Sequence, residues 1–466
     1  MGAWKDRERM KVCKFGGSSL ADAGQVTKVC DIMLADPARR VVVVSAPGKR
    51  HRDDTKVTDL LIACAEAALA GRETGGIVNE IVGRYAAIQE ELGLDAAIID
   101  RIGENLRARL AGDRSHTGRF MDLLKAAGED FSAMLVAEAL KARGAAARYM
   151  HPGEAGMLLE GEPGDATLCE ESYGLLAASL GRELAAQERA VVVFPGFFGV
   201  TREGEVVTFP RGGSDITGSI IAAALKAECY ENFTDVDTVY AVDPRIVPEV
   251  RHGISEMTYR EMRELAYAGF GVLHDEAVVA AFRAGIPINI RNTNHPDKPG
   301  TLVLPRRKAD TCSVVGIACD TDFVAIYVDK HMMNRELGFG RRLLQILEDE
   351  GISFEHMPSG IDNVSVVIRG ARFDKAREER VVARIKAELK PDAVLVERDH
   401  ALIMVVGEGM QYAVGMAARA TQALASAGVN IEMINQGASE ISMMFGVRSH
   451  DRYRAVRALY QAFFEE

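Results

Sequence analysis

What the chain lacks narrows its identity first. Its 466 residues contain no apolar run near the ~20 residues that a membrane-spanning helix needs. The first ten, MGAWKDRERM, hold no apolar segment of a secretory signal, and Asp6 stands where a myristoylation motif wants Ser or Thr. Cysteine is sparse: seven residues scattered from Cys13 to Cys319, none in a C-x-x-C pair. Reduced thiols in a cytoplasmic compartment are therefore expected. Positive charge is in deficit, with a formal net charge of −11, which argues against a nucleic-acid partner held through phosphates. The short basic clusters Arg306-Arg307-Lys308 and Arg341-Arg342 read as solvated faces. Low-complexity tracts are missing too, so the chain reads as a soluble globular protein of two or three domains.

The patterning that is present divides the chain. Over the first two thirds, short β-rich runs such as RVVVVSAPG and RAVVVFPGFFGV alternate with helical stretches such as VTDLLIACAEAALAG. That alternation predicts an α/β fold, a mainly parallel sheet with helices on both faces. Three prolines and a glycine between Asn292 and Lys308 break the pattern and mark a boundary. Beyond it, FVAIYVD, GFGRRLLQILEDEG, ISFEHM, NVSVVIRG, KAREERVVARIKAELK and DAVLVERD spell one βαββαβ set. A second set runs from ALIMVVGEG to DRYRAVRALYQAFF but is one strand short. The strand-like CSVVGIACD, lying before the first set, is expected to complete it. The divisions expected are 1–305, 306–398 with a spare leading strand, and 399–466.

Four islands of the larger part carry residue types that packing alone does not call for. The first is KFGGS, Lys14 to Ser18, which is neither a G-x-x-x-x-G-K-[ST] nor a G-x-G-x-x-G loop. The second is AAGED, with Glu129 in an apolar helical context. The third is TFPRGGSDITGS, where Arg211 precedes Gly212, Gly213, Ser214 and Asp215 at the start of a small-residue helix. The fourth is NFTDVDTVYAVDPR, with Thr234, Asp235, Asp237, Tyr240, Asp243 and Arg245. Two glycine pairs, each flanked by a cation and one of them opening a helix, suit a polyphosphate. Backbone N–H groups and the helix dipole favour anions, and the cations offset charge developed in transfer. A lone Gly-Gly is more often a tight turn.

In this order, KFGGSSLAD, AGED, RGGSD, TDVDTVYAVDPR and YAGFGVLH closely resemble the aspartate kinases of the amino-acid kinase family, and the C-terminal pair resembles the tandem ACT modules that family carries. The resemblance runs from about Val12 to the C-terminus, in the monofunctional arrangement. It implies a three-layer sandwich plus two ferredoxin-like βαββαβ ACT modules. It further implies phosphoryl transfer from ATP, with Mg²⁺, to the β-carboxylate of L-aspartate, feeding lysine, threonine and methionine biosynthesis. Lys14, Arg211 and Asp215 match catalytic positions. Ser45, Thr58, Glu129, Phe197, Thr208 and Arg211 match positions around aspartate. Lys14, Gly16, Gly17, Ser18, Gly213, Ser214, Thr234, Asp235, Tyr240 and Arg245 match the phosphate and nucleotide set.

In the first ACT module, Met333, Phe339, Ser353, Glu355 and Ser359 match an effector pocket, implying feedback by lysine, alone or with threonine. Pairing of ACT modules implies a homodimer. Two positions depart from the family pattern: Gly271 where many relatives carry lysine, and Asp275 where proline is usual. Another amino-acid kinase, or a non-catalytic amino-acid sensor, stays open beside this reading.

Overall fold

The computed structural model describes residues 10–250, 252–270, 275–307, 313–437 and 439–465. Gly271, one of the two departures, lies outside them. The chain divides into two compact units, one built from 1–239, 253–262 and 271–307, the other from 240–252, 263–270 and 308–466.

The first unit is organised by an eight-stranded sheet. In chain order its strands are β1 (Lys11–Phe15), β2 (Arg39–Val44), β3 (Ala147–Tyr149), β4 (Val191–Pro195), β5 (Cys229–Thr234), β6 (Glu256–Thr258), β7 (Ile288–Asn292) and β8 (Thr301–Leu304). They lie in the order β6-β8-β7-β5-β1-β2-β4-β3. All neighbours run parallel except β7 and β8. The Val-rich β2 and β4 are buried on both faces, as a parallel sheet between helical layers requires. This is the three-layer α/β sandwich.

Alternation along β1 decides what faces what. Cys13 and Phe15 join a core with helices Ala23–Ala35, Val57–Leu69, Gly75–Leu92 and Ala127–Ala142. Lys14 points to the opposite face, where helix Gly213–Leu225 packs on β1, β2 and β5. The order of the sheet also turns at β1: the chain continues to β2 on one side, while β5 returns on the other. Ligands of such sheets bind outside the carboxyl ends of the strands at such a point.

One expectation is corrected here. Arg307 is not part of a solvated face, because its guanidinium is buried against Glu261, bonding both carboxylate oxygens. Burying a cation is tolerated only with such a partner.

In the second unit, β9 (Gly316–Asp329), β10 (Phe354–His356), β11 (Asn363–Arg369), β12 (Ala393–Val406), β13 (Met433–Gln436) and β14 (Ser442–Arg448) form one sheet, ordered β10-β11-β9-β12-β14-β13. GIACD, the end of the run CSVVGIACD, and FVAIYVD, read from sequence as separate strands, are joined in β9, and DAVLVERD and ALIMVVGEG are joined in β12. Each keeps an irregularity at the seam: the β9–β12 register shifts between Asp320 and Ala325, and Asp322 and Asp399 both have positive φ. Past that seam, Phe323–Asp329 pairs with β11, while Gly316–Asp320 pairs with the far half of β12, which also pairs with β14. The two ACT modules thus share two long strands.

Candidate functional site

The carboxyl ends of β1 and β5 carry the first and fourth islands, and those of β2 and β4 lead directly into Ser45 and the Gly196-Phe197 turn. Lys14, the penultimate residue of β1, is buried and forms an ion pair with Asp215 in the first turn of helix Gly213–Leu225. Asp215 Oδ1 also accepts from Asn232 Nδ2 at 2.9 Å. Asn232 was missed in the sequence, although its position beside Glu231 in the otherwise apolar strand CYENFT was a signal. Gly212 caps the helix at φ 85°, a left-handed conformation that glycine adopts without strain. Its N-terminus therefore opens beside a lysine, a favourable place for an anion.

Gly16 precedes the short 3₁₀ turn Gly17–Leu20 as its N-terminal cap. A methyl group on Gly17 would lie 2.8 Å from the Ala46 carbonyl oxygen, so this loop and the Ser45–Gly48 turn after β2 meet backbone to backbone. Ser18 is exposed, and Ser45, whose N–H donates to Phe15 O at 3.2 Å, is half-buried.

Glu129 lies in the first turn of helix Ala127–Ala142. It is 6% exposed, and its Oε2 is buried with no hydrogen-bond partner among the described residues. Burial pushes its carboxyl up to about 8, opposed by the backbone N–H groups of Ala46 and Glu129 and by the charge on Lys14. An orphaned buried carboxylate oxygen invites a cationic ligand.

Phe197 follows β4 with φ 76°, unusual for an aromatic residue. It is held there by its N–H to Thr217 Oγ1 at 3.1 Å and by Phe209 N–H to its carbonyl at 2.9 Å. Thr208 is buried at the end of the small strand Val206–Thr208. Lys125 reaches both: its Nζ lies 3.4 Å from Thr208 Oγ1 and 5.8 Å from the Phe197 ring centre, with Asp122 at 2.7 Å as counter-ion. Nothing local in MDLLKAAGED had marked Lys125. Ser214 is buried against Gly196, where an added methyl would lie 2.7 Å from its Oγ.

Other candidates are less tightly gathered. Arg211 is exposed and makes no ion pair among the described residues. Thr58 is half-buried in the first turn of helix Val57–Leu69. Thr234 ends β5 and donates to Asp235 at 3.2 Å. Nearby, Asp237 is held well below the usual carboxylate range, first by Lys298 and then by His295, whose Nδ1 is 2.6 Å away. Tyr240 and Arg245 belong to the second unit, where the exposed Arg245 guanidinium forks onto Asp243 at 2.6 Å.

In the first ACT module, Phe339 is buried beneath Lys330, Met333 is half-buried, and Ser353 and Ser359 are exposed. The Glu355 carboxylate already faces Arg369 Nε at 3.3 Å, and Arg369 also pairs with Asp320 and lies 4.4 Å over the Phe323 ring.

Known proteins resemble this chain over nearly its whole length. Residues 9–292 match the amino acid kinase family, and residues 403–463 match the ACT domain. Aspartokinase 3 of Bacillus subtilis is 53% identical over 455 residues, 98% of this chain and 99% of that protein. The crystal structure of Clostridium acetobutylicum aspartate kinase aligns at a TM-score of 0.84 and 37% identity, covering 97% of this chain and 100% of that one. Two crystal structures of Escherichia coli aspartokinase III align at 27% identity over 98% of this chain. The one with aspartate and ADP has a TM-score of 0.78 and 100% of its chain covered; the one with lysine and aspartate has 0.76 and 99%.

Proposed function

The chain belongs to the aspartate kinases of the amino-acid kinase family, and we propose that it transfers the γ-phosphoryl group of ATP to the β-carboxylate of L-aspartate, giving 4-phospho-L-aspartate. The observation that carries this reading is the Lys14–Asp215 pair at a helix N-terminus with the orphaned Glu129 carboxylate close enough to feel the Lys14 charge.

The acceptor carboxylate, with a reference pKa near ~4, is already ionised at neutral pH and needs no general base. Rate enhancement must come from alignment and from neutralising charge in transit. Lys14 does the second at the transferring group, and Gly16, Gly17, Ser18, Gly213 and Ser214 line the phosphate path. Glu129 accepts the α-ammonium of aspartate. Arg211, free to fork onto a carboxylate, takes the α-carboxylate. Ser45, Thr58, Phe197 and Thr208 surround the substrate. Thr234 and Asp235 stand by the nucleotide; Tyr240 and Arg245 keep the nucleotide assignment that the resemblance gives them. An acidic group beside a cation and a helix N-terminus suits a magnesium–nucleotide, and Asp215 is the residue that would hold Mg²⁺, which would supply further neutralisation of phosphate oxygens.

Regulation is read from the ACT modules. Lysine, alone or with threonine, is the proposed effector at Met333, Phe339, Ser353, Glu355 and Ser359, supported by the lysine complex of the Escherichia coli enzyme. A homodimer through the ACT sheets completes the reading. The chain's own helices are compatible with a cytoplasmic enzyme: among the described residues none is long and apolar enough to cross a membrane.

Trapping the acyl phosphate with hydroxylamine tests the reaction. Hydroxamate should form from L-aspartate with Mg-ATP and hardly at all from L-glutamate, whose extra methylene displaces the acceptor oxygen. Equal rates with both, or none with aspartate, would overturn the assignment.

A further inference from the structure

The Ala46–Gly48 turn after β2 is pressed between two parts of the site. On one side the Gly48 N–H donates to Gly17 O at 2.8 Å, and a methyl on Gly48 would lie 2.7 Å from the Gly17 carbonyl carbon. On the other, a methyl on Gly128 would lie 2.7 Å from Ala46 Cβ, one residue before Glu129. Beyond Gly48 the chain makes an excursion in which Lys49 to Asp53 are all exposed, returning at Val57, whose N–H reaches Pro47 O at 3.2 Å. Such a loop has little apolar burial of its own to hold its base in place.

The fastening comes from elsewhere in the chain. Arg84, midway along helix Gly75–Leu92, is 4% exposed. Its Nη2 donates to Gly48 O at 2.7 Å and its Nη1 to Thr55 O at 2.8 Å, so one guanidinium spans both legs of the excursion. Asp54, 3.2 Å from Nη1, supplies the counter-charge and also takes Arg50 from within the loop. A planar fork can hold two carbonyls at fixed separation, which a single ammonium cannot. No assigned role in substrate contact explains a buried arginine spent on two backbone oxygens.

We infer that Arg84 is a positioning residue for phosphoryl transfer. It holds the Ala46–Gly48 turn, and through that turn sets the spacing between the Gly16–Gly17 loop and Glu129. The inference rests on the reading that these two groups take the phosphate and the substrate ammonium. An error of about 1 Å in such spacing can cost about a hundredfold in rate.

Steady-state kinetics of Arg84→Lys and Arg84→Ala, run below each variant's melting temperature, test it, with Asp54→Asn as a milder loosening should Arg84→Ala fail to fold. Arg84→Lys should raise the aspartate KM and lower kcat, together reducing kcat/KM by at least about tenfold, and guanidinium ion below denaturing concentration should restore part of the loss in Arg84→Ala. A purely structural arginine would lower the active fraction, and so kcat, while leaving KM alone. An unchanged aspartate KM in both Arg84→Lys and Asp54→Asn overturns the inference. Glu129→Gln, assayed alongside, separates the causes: if it raises the aspartate KM and the other two do not, only the role of Arg84 falls; if it too is silent, the placement of aspartate itself is wrong.

Discussion

Lys14 and Asp215, 201 positions apart in sequence, form an ion pair at the carboxyl end of the central strand, with both side chains largely withdrawn from solvent. The pair holds the ammonium where β1 faces the N-terminus of helix Gly213–Leu225. On the proposed role, in which its charge acts on the group in transit, Lys14→Ala should lower kcat by about two orders of magnitude or more while changing the aspartate KM much less. Equal effects on the two parameters in steady-state kinetics would refute this role.

Arg211 differs in kind. Exposed and without an ion-pair partner among the described residues, it contributes little to the fold. Arg211→Ala should leave the melting temperature near wild type and raise the aspartate KM about ten- to hundredfold, the loss expected for a charge-assisted fork of ~1.5–3 kcal/mol. A large drop in melting temperature would show that the guanidinium is structural instead.

The proposed contact of Glu129 with the substrate ammonium would make binding depend on pH. With its carboxyl pushed up to about 8 by burial, it is largely protonated in the free enzyme at neutral pH, and an arriving ammonium favours the ionised form. Aspartate binding should release a proton between about pH 5 and 8 and tighten as pH rises through that range. Calorimetry in buffers of different ionisation enthalpy checks this, and Glu129→Gln should abolish the release. The stability sign follows as well. A carboxyl whose folded pKa is raised binds more protons when folded, so its contribution falls as pH rises from the unfolded value of 4.5 toward 8. Glu129→Gln should accordingly raise the melting temperature more at pH 8 than at pH 5.

Glu355 and Arg369 offer a paired test of the effector pocket. Since Arg369 already faces the Glu355 carboxylate, an effector ammonium must compete for it. Glu355→Ala should raise the lysine concentration for half-inhibition, and Arg369→Ala should lower it, with uninhibited kcat nearly unchanged in both. Shifts in the same direction would place the effector elsewhere.

The edges of the ACT sheet offer a test of the proposed homodimer. Phe354 on β10 and Ile434 on β13, the two outermost strands, are 47% and 54% exposed, apolar groups on unpaired edges that a second copy would cover. Replacing both with lysine should shift the protein toward monomer in sedimentation velocity. An unaltered sedimentation coefficient would exclude these edges.

Local sequence by itself determined the classes of residue and their order: glycine pairs beside cations, a glutamate in an apolar helix start, valine-rich strands alternating with helices, and a second βαββαβ set lacking one strand. Those features are legible because glycine conformation, hydrophobic period and charge act within a few residues. Tertiary structure alone decided the rest. Whether the strands at Cys319–Phe323 and Arg398–His400 end or continue depends on pairing with β11 and β14, which local periodicity does not encode. Arg307 looks like a surface cation until Glu261, 46 positions away, is brought against it. Lys125 and Asn232 acquire meaning only through Thr208 and Asp215. The raised carboxyl of Glu129 and the clasp of Arg84 on Gly48 and Thr55 are products of burial and of contacts across different helices and loops, set by how the layers close rather than by any neighbour in the chain.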